Sequence, residues 1–403
     1  MVTPSNFNVN QRRYAHIVGW GMYVPERVLT NDDLAAILET SDEWIQARTG
    51  IKERRFADEK ETTAVLGVKA ARRALELTDI LPHEIDLIVV ATSTPENIFP
   101  STASMIQHWL GASKAGAFDL SAACSGFVYG LDMAAQAIRS GSIDNAIVIG
   151  AETMSRVMNW QDRSTCILFG DGAGAVVLQA REHQAGVLST VLRSDGSGYD
   201  LLGIPALGTS EIRSQDGVHD RRLHKMYMSG GEVFKFATRV IKSSVLESLH
   251  KAHVKLDDVK LIVPHQANKR IIQAAARSLN VDESRFVTNL DRYGNTSAAS
   301  IPIALVEALD SGRVNDGDYI VLIGFGGGLT WASSVIRWAI PHPEGRVVNR
   351  YWQQRRRAGY ALVKLRTGWR RFLRRLQRFN PFARFRPDNP DDPDEFDDYF
   401  DET

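Results

Sequence analysis

Residues 118 to 128, Phe-Asp-Leu-Ser-Ala-Ala-Cys-Ser-Gly-Phe-Val, hold the most reactive side chain in the sequence. Phe118 to Ser121 read as the end of a buried strand. From Ser125 onward the spacing of Phe127, Leu131, Ala134, Ala135 and Ile138 is that of a helix. Cys124 then occupies a strand-to-helix turn with its sulfur near the positive end of a helix dipole, which is expected to expose the thiol and lower its pKa. Ala122, Ala123 and Gly126 are small, as a tight elbow approached by a substrate requires. A lone Cys among small residues is more often a buried apolar group, so the assignment needs partners. His265 ends the strand-like run LIVPH and precedes a helical pattern (Arg270, Ile271, Ala274, Ala275, Leu279), a strand-end position from which α/β sites are built. Asn295 lies in the polar, glycine-containing loop Tyr293-Gly-Asn-Thr-Ser297. Taken singly, a strand-end His is more often structural and an Asn beside Gly is usually a turn residue. Together with an elbow Cys they supply a nucleophile, two hydrogen-bond donors and a Gly-rich backbone, the parts needed for acyl transfer.

Strand and helix patterns alternate around these residues. His16 to Gly19 is strand-like, Asp32 to Leu38 helical, and Thr63 to Leu77 has helical periodicity. Ile85 to Ala91 (IDLIVVA) is a continuous apolar run of the kind found in a fully buried parallel strand. A helix over Ser101 to Leu110, a strand over Ala117 to Ser121, a helix over Ser125 to Ser140 and a strand over Ala146 to Gly150 follow, with further strands expected at Cys166 to Leu168 and Gly174 to Gln179. The alternation is α/β. IDLIVVA at 85 to 91 is echoed by VKLIVPH at 259 to 265, and AIVIG at 146 to 150 by IVLIG at 320 to 324. Both pairs lie 174 residues apart, which implies two related halves meeting near residue 184.

Other features narrow the function. Gly170-Asp-Gly-Ala-Gly174 and Gly324-Phe-Gly-Gly-Gly328 both run into strand-like segments, whereas a phosphate-binding loop must open a helix. His250 and His253 have no third ligand type nearby, so no metal site is expected. The 403 residues are 44% hydrophobic and 24% charged, the composition of a soluble protein with a large core. Two cysteines do not make a disulfide framework, the polar first residues carry no secretion signal, and no apolar run is long enough to span a membrane. A reducing, cytoplasmic location is expected. Formal charge is zero, but residues 345 to 386 hold 14 Lys or Arg and no acid, while 387 to 403 hold nine acids and no base.

Six motifs in order give the chain a specific resemblance: TSDEWIQARTGI (40 to 51), ACSGF (123 to 127), DRSTCILFGDGAG (162 to 174), PHQAN (264 to 268), YGNTSAAS (293 to 300) and GFGGGLTW (324 to 331). From about Tyr14 to Ile340 it resembles β-ketoacyl-acyl-carrier-protein synthase III, the initiating condensing enzyme of fatty acid synthesis in the thiolase superfamily. The resemblance implies a five-layered αβαβα body from two duplicated halves, and a homodimer. The division expected is a leader (1–13), an N-terminal half with the Cys (14–183), a C-terminal half with the His and Asn (184–340), a basic extension (341–386) and an acidic, disordered tail (387–403).

The resemblance also implies roles. Cys124 would take an acetyl or other short acyl group from acyl-CoA as a thioester, with the backbone N–H groups of Cys124 and Gly327 as oxyanion hole. His265 and Asn295 would donate hydrogen bonds to the thioester carbonyl of malonyl-acyl-carrier protein as CO₂ leaves, and the enolate would attack acyl-Cys124. Trp44 and Arg48 match positions that sandwich the adenine of CoA, with Arg163 on its other face, and Asn268 would bond the pantetheine arm. Phe99 matches a residue that reaches across the dimer to limit acyl length. Lys235, Arg270 and Arg277 are basic positions for docking an acidic carrier protein, with a solvated helix face as the competing explanation. Acyl-CoA is a substrate, and neither cofactor, metal nor nucleic acid is implied. Asn295, where elongating synthases carry a second His, places the chain in the initiating branch.

Three alternatives stand beside this. One is a related condensing enzyme using another acyl-CoA primer or acceptor in a secondary pathway. A hydroxymethylglutaryl-CoA synthase-like activity is disfavoured by Ser121-Ala-Ala before the Cys, where that group keeps a Glu. The third is an idle scaffold acting through its charged tail. In that tail Leu362, Leu365, Trp369, Phe372, Leu376 and Phe379 recur at helical spacing among arginines, a pattern for contact with a membrane surface or an acidic partner.

Overall fold

The computed structural model describes residues 12–205 and 225–339, together with 359, 360, 365, 368, 369, 372 and 373. Two sheets organise the chain. The first has five strands in the spatial order Tyr14–Tyr23, Asp171–Arg181, Asn145–Thr153, Leu87–Ala91, Gly116–Leu120. The second has four, in the order Gly186–Ser194, Thr330–Arg337, Tyr319–Gly326, Val259–Pro264. Position by position the pairings agree: two antiparallel contacts, then a parallel one. The fifth strand of the second sheet is reduced to one parallel bridge between Ile262 and Phe286. The 174-residue echo in sequence is thus a duplication of topology.

Helices fill five layers. Gly126–Arg139 and Ser300–Asp310 lie between the sheets, and their apolar faces join both sheets in one core with Phe127, Leu131, Ile301, Leu305, Val148 and Leu322. Outside the first sheet pack Thr63–Glu76 and Thr102–Leu110, started by the side-chain caps Thr62 and Ser101. Outside the second pack Gly230–Ala252 and Lys269–Leu279. The central helices come close to the sheets because glycines let them. A Cβ on Gly150 would meet the Ala298 carbonyl oxygen at 2.2 Å, and one on Gly324 would meet Ser125 Cα at 2.9 Å. Both Gly-rich stretches therefore sit in strands or strand ends and serve close approach.

Several expectations need correction. Cys166 to Leu168 is not a strand. Asp162 accepts hydrogen bonds from Ser164 N and the Thr165 hydroxyl, and this local capping winds Arg163–Cys166 into a helical turn. The strand leading to the elbow, Gly116–Leu120, is not buried. Among the described residues it is the edge of the first sheet, with Phe118 39% exposed, while Ala117 packs on the core and Leu120 is half-buried. His253 caps the helix Gly230–Ala252 in the left-handed conformation (φ 55°). The leader to residue 11 and the acidic tail 387–403 lie outside the described residues, as does most of 341–386. Of the extension, Tyr360 packs by the outer helices with the Arg72 guanidinium 4.6 Å from its ring centre, and Leu365, Trp369, Phe372 and Leu373 are exposed. No helix among the described residues is long and apolar enough to cross a membrane.

Candidate active site

The elbow is a 3₁₀ turn, Ala123–Ser125, between the edge strand and the central helix Gly126–Arg139. Ala123 adopts φ 47°, a left-handed conformation that turns the chain within one residue and sets Cys124 at the helix start. From the second sheet Gly326 closes over it: an added Cβ there would stand 2.7 Å from the Cys124 nitrogen. The thiol is only 6% exposed, and burial pushes its pKa up to about 12. This corrects the expectation of an exposed, acidified thiol. Loss of hydration for a thiolate outweighs the helix terminus when the sulfur is enclosed. Its side-chain hydrogen bond runs to the Ser297 hydroxyl, Sγ to Oγ 3.5 Å.

His265 follows the strand Val259–Pro264 and is buried, which lowers its pKa to about 3 and keeps the ring neutral. Ser300 Oγ lies 2.6 Å from Nδ1 and accepts from Gln266 N at 3.4 Å. In the tautomer in which the Ser300 hydroxyl donates to Nδ1, the ring proton sits on Nε2. Asn295 is oriented by similar means. Its Oδ1 accepts the Ser297 N–H at 2.8 Å, which leaves the Nδ2 amide to donate elsewhere. Asn295 thus offers an N–H donor, and His265 does so in its Nε2–H tautomer.

These groups line one cavity of about 800 Å³, walled by Cys124, His265, Asn295, Gly327, Phe325 and Leu202 among others. Trp44, Arg48, Asn268, Lys235 and Arg270 line it too. The Arg48 and Arg163 guanidinium carbons lie 4.8 and 5.4 Å from the Trp44 ring centre. Arg163 is not itself on the cavity wall. Asn268 caps the helix Lys269–Leu279 by accepting from Arg270 N and donates to the Arg48 carbonyl. Lys235 is exposed and paired with Glu232 at 2.8 Å. Arg277 is exposed in the last turn of its helix, away from the cavity, and Phe99 is 85% exposed beyond it. Among the described residues no cluster of three or more His, Cys, Asp or Glu could hold a metal.

Sequence reasoning missed Ser297, Ser300 and Glu152. Ser297 and Ser300 were within a quoted motif, but nothing local distinguishes them. The 174-residue offset does give a signal, because it pairs Ser297 with Ala123, and the two adopt φ 48° and 47°.

Similar proteins are known. The chain is 54% identical over 325 residues to the β-ketoacyl-[acyl-carrier-protein] synthase III of Roseiflexus sp., covering 81% of this chain and 98% of that one. It is 51% identical to the enzyme of that name from Desulfitobacterium hafniense, covering 80% and 97%. The chain belongs to the β-ketoacyl-[acyl-carrier-protein] synthase III family. The model of the family described as 3-oxoacyl-[acyl-carrier-protein (ACP)] synthase III matches residues 118–196, and that of its C terminal matches 249–338. Among solved structures, the synthase III of Aquifex aeolicus superposes with a TM-score of 0.75 at 47% identity, covering 80% of this chain and 100% of that one. The priming β-ketosynthase of the R1128 polyketide pathway superposes with a TM-score of 0.77 at 37% identity, covering 84% and 100%. As a member of the synthase III family the chain is an acyltransferase, a condensing enzyme of fatty acid biosynthesis with the thiolase-like fold.

Proposed function

We propose that the chain carries out a decarboxylative Claisen condensation in which Cys124 accepts an acetyl or other short acyl group from acyl-CoA and malonyl-acyl-carrier protein is the second substrate. The backbone N–H groups of Cys124 and Gly327 stabilise the tetrahedral oxyanion of transfer, where one such donor is worth about 3 kcal/mol. His265 Nε2–H and Asn295 Nδ2–H hold the malonyl thioester oxygen as CO₂ departs, so that the enolate forms against two donors. The enolate carbon then attacks acyl-Cys124 and a β-ketoacyl thioester leaves on the carrier. The observation that carries this reading is the convergence of Cys124, His265 and Asn295 on one cavity, with Ser300 Oγ holding His265 Nδ1 and the Ser297 N–H turning Asn295 into a donor. All the chemistry comes from these residues, with acyl-CoA as substrate and no cofactor. Mixing with acetyl-CoA is expected to place an acetyl group on Cys124 in the intact-protein mass. A chain that stays unmodified refutes the reading, and a panel of acyl-CoA primers with malonyl-carrier protein defines primer length. Relatedness to a polyketide priming synthase keeps a secondary-pathway primer within that panel.

The substrate and partner contacts belong to the same proposal. Trp44, Arg48 and Arg163 take the adenine, Asn268 the pantetheine arm, and Arg270 with Lys235 and Arg277 the acidic carrier. Phe99 completes the acyl pocket of a second copy in a homodimer. Support comes from the solvent-facing apolar groups Ile98, Phe99, Phe118 and Met133, of which Phe118 lies on the edge strand Gly116–Leu120. The enzyme works in the cytoplasm, and its basic extension touches an anionic membrane surface. There Trp369 and Phe372 lie 5.8 Å apart and exposed within a segment that has no acid. Co-sedimentation with anionic liposomes is expected for the full chain and lost on truncation at Ile340. Equal sedimentation removes the membrane contact and leaves an acidic partner.

A further inference from the structure

Glu152 is a fully buried carboxyl that the reaction set out above does not use. It lies near the end of the strand Asn145–Thr153, under the point where the two halves meet. Groups from both halves donate to it. From the first come the Thr94 hydroxyl at 2.6 Å, the Thr92 hydroxyl at 3.2 Å and the Ser93 N–H at 3.0 Å. From the second come the Ala298 N–H at 3.4 Å and the Ser297 hydroxyl. These are hydroxyls and backbone amides; the titratable group it acts on is the Cys124 thiol. Ser297 lies between the two, accepting from the thiol and donating to the carboxylate. Thiol, hydroxyl and carboxylate form a continuous row.

We propose that Glu152 is the proton acceptor for Cys124, reached through the Ser297 hydroxyl. This rests on the acyl-Cys124 reading. As the sulfur attacks the acyl carbonyl, the thiol proton passes to Ser297 Oγ and the Ser297 proton passes to a Glu152 oxygen. The bond from Cys124 sulfur to the acyl carbon forms, the bond from that carbon to the CoA sulfur breaks, and the CoA thiolate takes a proton from solvent. Glu152 stays neutral while the acyl-enzyme waits. When the enolate expels the Cys124 sulfur, the proton returns along the same row.

The environment explains why such a path is needed. A thiol whose pKa is pushed up to about 12 supplies almost no free thiolate near neutrality, so its proton must leave as the sulfur attacks. His265 is a poor acceptor at a pKa of about 3, and its Nδ1 is already engaged by the Ser300 hydroxyl. Burial raises the Glu152 pKa above the ordinary carboxyl value and makes it the stronger base. The side chain acts through Ser297 and does not touch the substrate.

The test is single-turnover acetylation of the full chain by acetyl-CoA, read as the mass of Cys124 from about pH 5 to about pH 9. The unaltered protein is expected to acetylate more slowly on the acid side, where Glu152 holds its own proton. Glu152→Gln should lose that acid limb and acetylate about a hundredfold more slowly. Ser297→Ala should do the same with the carboxyl still in place. Decarboxylation of a malonyl thioester moves no thiol proton and should continue near its usual rate in Glu152→Gln. Acetylation of Glu152→Gln at the unaltered rate with the limb intact overturns the relay, and so does a parallel loss of both half-reactions, which marks a packing role. If thermal melting shows that Glu152→Gln does not fold, Ser297→Ala decides by its acetylation rate and its acid limb, and acetylation at the unaltered rate with the limb intact overturns the relay. Absence of acetyl-Cys124 in the unaltered protein sinks the acyl-enzyme reading itself, an outcome distinct from an unaltered protein that acetylates and a variant that matches it.

Discussion

Ala123–Ser125 and Ser297–Ala299 are 3₁₀ turns 174 residues apart. Each opens on a left-handed residue and leads into a helix of the central layer, and each is seated on the facing strand by a glycine, Gly324 for the first and Gly150 for the second. The same backbone device carries different cargo. The first turn presents Cys124 to the cavity, and Gly326 leaves the space before its N–H empty of side chain. At the matching place the second turn has Ala298, buried, with its N–H bonded to Glu152, the residue that corresponds to Gly326 by the 174-residue offset. One elbow keeps its amide open for a reacting oxygen, and the other has a carboxyl of the protein in that place. Duplication supplied two equal sites, and divergence at Cys124/Ala298 and Glu152/Gly326 made one the nucleophile's seat and the other its support.

The comparison can be broken most severely at the nucleophile. Cys124→Ala is expected to lose condensing activity by about a thousandfold or more. Moving the thiol to the matching place, in the double variant with Ala298→Cys, should restore none of it. An acyl adduct on the relocated thiol would show the elbows to be interchangeable. A smaller effect comes from the seating glycines. Gly324→Ala and Gly150→Ala each force a methyl into backbone and should cost about 1–3 kcal/mol in denaturant melts. Gly324→Ala should slow acylation more, and Gly150→Ala should slow malonyl decarboxylation more, because the second displaces the Asn295 loop. Equal effects on both half-reactions would erase the asymmetry.

The smallest effect is in stability against pH. Burial lowers the His265 pKa to about 3 in the folded chain against an ordinary 6.5, so the unfolded chain binds the extra proton between them. Stability from this group is complete above about pH 6.5 and falls as pH drops, by at most about 1.4 kcal/mol per unit. Glu152, with its raised pKa, contributes in the opposite sense and is lost as pH rises. Melting of His265→Asn should therefore decline less steeply than that of the unaltered protein from about pH 7 to about pH 5. Parallel curves would mean that the ring is solvated after all.

The core strands were readable because burial on both faces writes a continuous apolar run, as in IDLIVVA, and because the run recurs after 174 residues. Periodicity failed where local bonding decided the backbone, as at Arg163–Cys166 under its Asp162 cap. It failed also where position in the sheet decided exposure. Gly116–Leu120 has the composition of an interior strand, and only the strand order makes it an edge. Cys124, His265 and Asn295 were found by residue type and place at element ends, and the cavity they share lay beyond any local signal.

By itself the sequence determined the elements, the duplication and the reactive residue types, since these follow from apolar periodicity, turn chemistry and the identity of a few side chains. The tertiary structure decided the electrostatics. A Cys at a helix start reads as an acidified thiol, yet enclosure by Gly326 and the second elbow raises its pKa to about 12. The physical reason is desolvation, which depends on what the opposite half of the chain covers. Ser297 and Glu152 owe their places to the same contact, because the groups that turn a buried thiol toward reaction are brought in by packing from strands and turns far away in sequence.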